Sequence, residues 1–196
     1  MPPLGEAEVL ESADLLSMGG KVCTAAAVAL AVLALAPSAG AVMVTDRNPL
    51  EPSIVERINS IRKSHGLRAL TVAKRLNDAA NRHSRSMGAS SYFRHELYTP
   101  QRARTWTAFS AWIRWYWPGP GYNAWSAGEN LAWGAPDISA SRTVTNWMNS
   151  PGHRANILNP LWRYIGVAAV HVDEPAGYYR SWDDVTIVAA EFGQRG

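Results

Sequence analysis

The residues best suited to chemistry in this chain are His95 in Tyr92-Phe93-Arg94-His95, Glu129 in Gly128-Glu129-Asn130, and His153 in the run WMNSPGHRANILNP spanning Trp147–Pro160. Ser150 followed by Pro151 reads as a helix start, because Ser is a preferred N-cap and Pro needs no amide partner at the first helical position. His153 then sits in the first turn of that helix. The positive end of a helix disfavours imidazolium and keeps the ring neutral, as a metal ligand or a base requires. No HExxH spacing is present, so spacing alone carries little metal signal. Each residue also has a plainer use. Glu129 is equally readable as a carboxylate buried at a strand end, His95 as a half-exposed loop residue, Asn130 as a side chain bonding backbone in a turn, and Arg154 and Asn156 as clamps of the groove loop to the sheet. Ser150 beside His153 invites a hydrolase reading, but no nucleophile elbow surrounds it and N-capping explains it better. Gly152, between Pro151 and His153, reads as a glycine demanded by backbone crowding.

These segments occur in a characteristic order. Leu67, Leu70, Leu76, Ala80, Ser84 and Met87 come first, followed by Tyr92-Phe93-Arg94-His95, GENLAWG and PGHRANILNP, and then by Ile165-Gly166-Val167 and the stretch Ile187–Gly193. Together they resemble the CAP superfamily of cysteine-rich secretory, antigen 5 and pathogenesis-related proteins, most closely its bacterial secreted branch. The resemblance runs from about Ile54 to Gly193. It implies a three-layer α-β-α sandwich and a shallow groove with two histidines and two acidic residues, which in several members binds a divalent cation. Matched position by position, the histidines are His95 and His153 and the first acid is Glu129, so the implied metal set for a cation such as zinc is His95, His153 and Glu129. The second acid of the family falls on Ser150 here, which joins the groove only as a polar residue. Glu191, near the end of the chain, is the acid that can substitute, buried against Arg154 or exposed.

Among the elements that must position these residues, a first helix is capped by Ser53, carries Ile54, Ile58 and Ile61 on one face, and is ended by Gly66. A second helix over about 72–87 aligns Leu76, Ala80, His83 and Met87, which makes His83 a packed histidine rather than a ligand. A third, Ile138–Met148, turns Val144 and Trp147 inward. Tyr164–Val172, Gly177–Trp182 and Asp184–Phe192 read as strands with a turn at Asp173–Ala176. The fold class is therefore α+β with a mainly antiparallel central sheet. The segment Thr105–Trp125 holds five of the nine tryptophans. It reads as an insertion with Trp106, Phe109, Ile113 and Tyr116 at helical spacing, either an extra core lid or an exposed aromatic surface.

The 196 residues suit one domain and a processed leader. Val22–Ala36 is an uncharged apolar run followed by Pro37-Ser38-Ala39-Gly40-Ala41, which reads as a signal peptide over residues 1–41 with a mature start near Val42. Its acidic front, Glu6, Glu8, Glu11 and Asp14, suits a signal peptide poorly and makes Met18 the better start. Residues 42–52 then form a linker and 53–196 the domain. Loss of residues 1–41 raises the formal charge from +3 to +6. Such a charge draws a secreted domain to anionic wall polymers or lipid headgroups, although scattered basic residues serve general solubility equally well and give no nucleic-acid footprint. The single cysteine, Cys23, lies in the leader, so the mature chain has no disulfide partner. Two functions compete: a secreted, non-enzymatic module binding lipid, membrane surface or cell-wall polymer through the groove, and a metal-assisted hydrolase with Glu129 as base.

Overall fold

Two long apolar strands organise the chain. β6 (Tyr164–Asp173) and β7 (Asp184–Arg195) are rich in Val, Ile and Ala and are buried on both faces. Strands of that kind need a helical layer on each side. A computed structural model describes residues 42–46, 49–100 and 105–196, all inside the compact unit Ala39–Gly196. The leader, Met18 and Cys23 lie outside the described residues. The central sheet runs β1 (Met43–Asp46), β6, β7, β5 (Trp125–Gly134), with the short β2 (Thr71–Val72) parallel to β6 and the other pairs antiparallel. Residues 42–52, read from the sequence as a linker, thus carry a strand of the sheet and the first turn of a helix.

One face packs α1 (Leu50–Ser64), α4 (Ala140–Asn149) and α5 (Pro151–Leu158), through Ile54, Ile58, Val144, Trp147 and Ile157, onto Ile165, Val167, Ala169 and Val188. The other packs α2 (Lys74–Ser90), through Ala80 and Met87, onto Ala168, Val170, Ile187 and Ala189. The period-2 alternation of β6 sends odd residues to one layer and even residues to the other. The result is the expected α-β-α sandwich.

Several boundaries differ from the sequence reading. α1 begins at Leu50 rather than after Ser53. Glu51 in its first turn accepts the backbone N–H of Ala169 at 3.1 Å, which anchors the extra turn to β6. α2 starts at Lys74 because Thr71 and Val72 are drawn into pairing with Tyr164 and Ile165. It runs on to Ser90 and ends at Ser91 in the left-handed region. Gly177–Trp182 is not a strand but a turn of 3-10 helix over Gly177–Tyr179. Gly177 has φ +54 and its would-be Cβ lies 2.7 Å from the Ser91 carbonyl oxygen. The Tyr179 hydroxyl donates to the Tyr92 carbonyl at 2.9 Å. The aromatic run therefore folds onto the end of α2 instead of extending the sheet.

The tryptophan segment divides between the two expectations. Trp106 lies on β4 (Thr105–Thr107), paired with β3 (Leu97–Thr99). Only Phe109–Trp112 (α3) and a 3-10 turn over Ile113–Trp115 are helical. Trp112 and Trp117 are fully buried with Leu76, Ala79 and Leu97, whereas Trp106 and Trp115 are 45 % and 50 % exposed. Trp117 Nε1 donates to the Gln194 carbonyl at 3.2 Å. Two of the segment's five tryptophans are thus core, two lie at its surface and Trp125 is half-buried.

Candidate functional site

Antiparallel register places Glu129 of β5 directly opposite Glu191 of β7, and Glu191 opposite Gly166 of β6. Directly opposed residues share a face, so both acids lie under α2. Gly166 makes this geometry available: a Cβ there would lie 2.0 Å from the Leu76 carbonyl carbon and 2.2 Å from the Asn77 nitrogen. The helix backbone rests on that glycine, and one turn and more along α2 His83 reaches the carboxylates.

Glu129 is buried, and each of its oxygens meets an imidazole. His83 Nδ1 lies 2.5 Å from Oε1 and His95 Nδ1 lies 2.5 Å from Oε2. Burial pushes the Glu129 carboxyl up, but the His83 charge and the bonds from His83, His95 and Glu191 outweigh it and hold it below the usual carboxylate range. Glu191 is wholly buried, and its pKa is driven well up by burial first and by the Glu129 charge second. Neither Glu191 oxygen has an N–H or O–H partner. A proton carried by Glu191 and directed at Glu129 relieves the repulsion between them, because two adjacent buried carboxyls cannot both ionise. The site is therefore a carboxyl–carboxylate pair clasped by two histidines.

His95 is the exposed member, with 54 % of its side chain open to solvent. Its pKa is raised by the Glu129 bond, against the opposing effect of partial burial. Trp112 supports it from behind. The Trp112 indole nitrogen donates to the His95 carbonyl at 3.1 Å, and its ring packs 4.9 Å from the His83 ring. Trp112 of the tryptophan segment thus lies beneath both histidines.

His153 approaches from the other side of β5, the edge strand. Asn130 faces α5 and its Nδ2 donates to the His153 carbonyl at 3.0 Å, while Asn156 Nδ2 donates to the Glu129 carbonyl at 3.0 Å and to Asn130 Oδ1 at 2.9 Å. Asn156 clamps as the sequence reading expected, but its partner in this is Asn130, which bonds the backbone of α5 rather than of a turn, and Arg154 is exposed. Burial, and then the His95 charge, lower the His153 pKa and favour its neutral form. Ser150 occupies the N-cap position of α5, and its carbonyl accepts the Arg154 amide at 2.8 Å. Its hydroxyl makes no capping bond, contrary to expectation, so the helix start is set by Pro151 at the first position and by the Ser150 carbonyl. Gly152 has nothing within 4 Å of a would-be Cβ. Crowding therefore does not require glycine there; the helix start faces open space.

Glu191 is neither paired with Arg154 nor exposed, and His83, read as a packed histidine, is packed and also bonded to Glu129. Only strand register could have revealed that pairing. The groups of three whose ligand atoms all lie within 4.8 Å among the described residues are His83, Glu129 and Glu191, and His171, Asp173 and Asp184. His95, Glu129 and His153 are not brought together in that way, since both Glu129 oxygens are directed at imidazole Nδ1 atoms. A divalent cation in this groove would have the two exposed imidazoles as donors, with Glu129 behind His95 as an orienting carboxylate.

Beside the groove lies a shelf of aromatic rings. Trp133, on the same face of β5 as Glu129, contacts Tyr178, Tyr179 and Trp182 at centroid distances of 5.9, 5.4 and 6.1 Å. Phe93, two residues before His95, stacks on Tyr178 at 5.9 Å. Tyr178 and Trp182 are about half exposed, at 54 % and 47 %.

Comparison with known proteins agrees with this fold. A model of the cysteine-rich secretory protein family, CAP, matches residues 55–181. YkwD of Bacillus subtilis is 33 % identical over 120 residues, 61 % of this chain and 42 % of that protein. The membrane protein YlbC of the same organism is 28 % identical over 134 residues, 67 % of this chain and 35 % of its own length. The chain thus spans well under half of these two relatives. Among solved structures, an outer surface protein of Borrelia burgdorferi has a TM-score of 0.61 at 22 % identity, covering 79 % of this chain and 99 % of that one. An extracellular SCP-domain protein of Bacillus anthracis has a TM-score of 0.54 at 26 % identity, covering 74 % of this chain and 40 % of that one.

Proposed function

Because the chain belongs to the cysteine-rich secretory protein family, CAP, we propose that it is an extracellular, non-enzymatic module that binds an anionic lipid of the cell envelope. The observation that carries this reading is the aromatic shelf of Phe93, Trp133, Tyr178 and Trp182 running up to His95. Rings that are wet on one side and packed on the other suit a membrane interface. His95, held on a buried carboxylate, supplies positive charge where a headgroup phosphate would sit, and the basic character of the chain adds long-range attraction. The extracellular setting is supported by the apolar leader-like run and by the Bacillus anthracis neighbour.

The hydrolase reading has less support. A general base needs a free lone pair aimed at substrate, and both Glu129 oxygens are engaged by histidines. A cation held by His95 and His153 would add a further positive centre for the same anionic ligand, and the binding role does not depend on it.

Co-sedimentation tests the proposal. The chain should bind vesicles of phosphatidylcholine with phosphatidylglycerol more strongly than phosphatidylcholine alone; a Tyr178→Ser, Trp182→Ser pair should weaken binding without lowering the melting temperature, and His95→Ala should weaken it with some loss of stability, since Glu129 then loses a partner. Equal binding by the variants would overturn the assignment. Retention on isolated wall polymer with no vesicle binding would move the ligand class to polysaccharide.

A further inference from the structure

The tryptophan segment does more than support the two histidines. Trp125 opens β5, and the strand's period of two places it on the same face as Glu129 and Trp133. Trp125 packs against the cluster that holds Leu76, Ala79 and Trp112, and Trp133 against the one that holds Ala80, Leu131 and Tyr179. That face of β5 thus carries a tryptophan at each end, with Glu129 and its partner His95 midway. At roughly 3.3 Å per residue the two tryptophans stand about 26 Å apart along the strand.

Two arginines flank Trp125. Arg114, on the 3-10 turn after α3, holds its guanidinium carbon 4.9 Å from the centre of the Trp125 ring. Arg195 stands directly opposite Trp125 in the β5–β7 register, and its guanidinium lies over Tyr122 at 4.4 Å and Trp117 at 4.5 Å. Their hydrogen bonds go to the neutral carbonyls of Ser110 and Pro118, which hold the guanidiniums without cancelling their charge. Among the described residues neither has a carboxylate partner. Around them Trp115 and Tyr122 are 50 % and 40 % exposed.

Half-wet tryptophan and tyrosine rings beside uncancelled basic side chains match a bilayer interface, where rings meet the acyl boundary and cations meet lipid phosphates. The separation of the two ends selects the kind of partner. About 26 Å approaches the roughly 30 Å thickness of a whole hydrocarbon core. One headgroup cannot reach both ends of that face, whereas a bilayer surface presents phosphates to both at once. We propose that Arg114, Trp115, Tyr122 and Arg195, gathered around Trp125, form a second contact with an anionic bilayer. The domain then lies along the membrane on the β5 face, with His95 between two aromatic anchors. This rests on the lipid reading of the groove and extends it to the orientation of the bound domain.

Co-sedimentation of the full chain with phosphatidylcholine–phosphatidylglycerol vesicles tests this, with melting temperature as the check on folding. An Arg114→Gln, Trp115→Ser pair, at exposed positions, should keep the wild-type melting temperature and weaken binding at least about fivefold. The Tyr178→Ser, Trp182→Ser pair should weaken it separately, and all four substitutions together should weaken it further, because two linked contacts reinforce each other. Trp115→Phe should bind nearly as wild type yet lose part of the tryptophan quenching caused by brominated acyl chains. Unchanged binding by the Arg114, Trp115 pair, with the Tyr178, Trp182 pair still weakened, overturns the second contact and leaves the lipid reading of the groove standing. Equal quenching of Trp115→Phe and wild type overturns it too, whatever the other variants do. Unchanged binding by the Tyr178, Trp182 pair, or no vesicle binding by the wild type, overturns both readings.

Discussion

Adding one methyl group at Gly166 should unseat the helix that carries His83. The would-be Cβ lies 2.0 Å from the Leu76 carbonyl carbon, 2.2 Å from the Asn77 nitrogen and 2.4 Å from the Leu76 oxygen. Ordinary contact lies at 3.4–4 Å, so α2 must retreat by more than about 1 Å or β6 must buckle. All three obstructing atoms are backbone, so no rotamer change relieves the clash. Overpacking a core typically costs about 1–3 kcal/mol, and the absence of any side-chain escape puts Gly166→Ala at the top of that range or above. Retreat of α2 also lifts His83 from Glu129 Oε1, leaving a buried carboxylate short of a partner. Urea unfolding of Gly166→Ala beside Gly152→Ala measures the effect. Gly152 meets nothing within 4 Å and sits in a helix, so alanine there should be neutral or stabilising by up to about 1 kcal/mol. Equal midpoints for the two variants would refute the close approach of α2 to the sheet.

Other outcomes follow from the same geometry. Trp112→Ala should cost about 3–5 kcal/mol, as loss of a buried large aromatic does, whereas Trp115→Ser, at a half-exposed ring, should change the unfolding midpoint little; thermal denaturation of the pair checks this. Glu191 has a raised pKa in the fold, so its contribution is full below the unfolded value near 4.5 and is lost as pH rises towards the folded value. Glu191→Gln should therefore match wild type near pH 4.5 and be the more stable at about pH 8 in a pH series of urea melts. Equal destabilisation at every pH would show that Glu191 is not the protonated partner. Glu129→Ala strands two histidines and should cost about 3–5 kcal/mol, as removal of one partner from a buried pair does, read from the same urea melts.

The layers and most helices are legible in the chain because their signals are local. Ile54 and Ile58, Val144 and Trp147, and Ser150-Pro151 each declare an apolar face or a helix start within a few residues. The unbroken apolar runs of β6 and β7 likewise announce strands covered on both sides. The aromatic run after Gly177 misleads because its rings pack on Ser91 and Tyr92, far away in sequence. The site is half legible. His95, Glu129 and His153 stand out through their family setting, but nothing local tells that His83, on a stripe with Leu76 and Met87, has a carboxylate beneath it. That fact depends on the pairing of Glu129 with Glu191 and on the backbone contact at Gly166, both long-range. The split fate of the tryptophans has the same origin. Trp112 and Trp117 are buried by α2 and β7, which the segment's own pattern does not contain.

At the groove, a buried Glu129 favours the charged form of His95, while burial favours the neutral form of His153. Titration of the imidazole nitrogens by long-range proton–nitrogen NMR on the wild-type chain reads both states at once. The two rings should shift in opposite directions: His95 titrating above the ordinary histidine value of about 6.5 and His153 below it. A His95 midpoint at or below that value, or a His153 midpoint above it, would contradict this arrangement of charge.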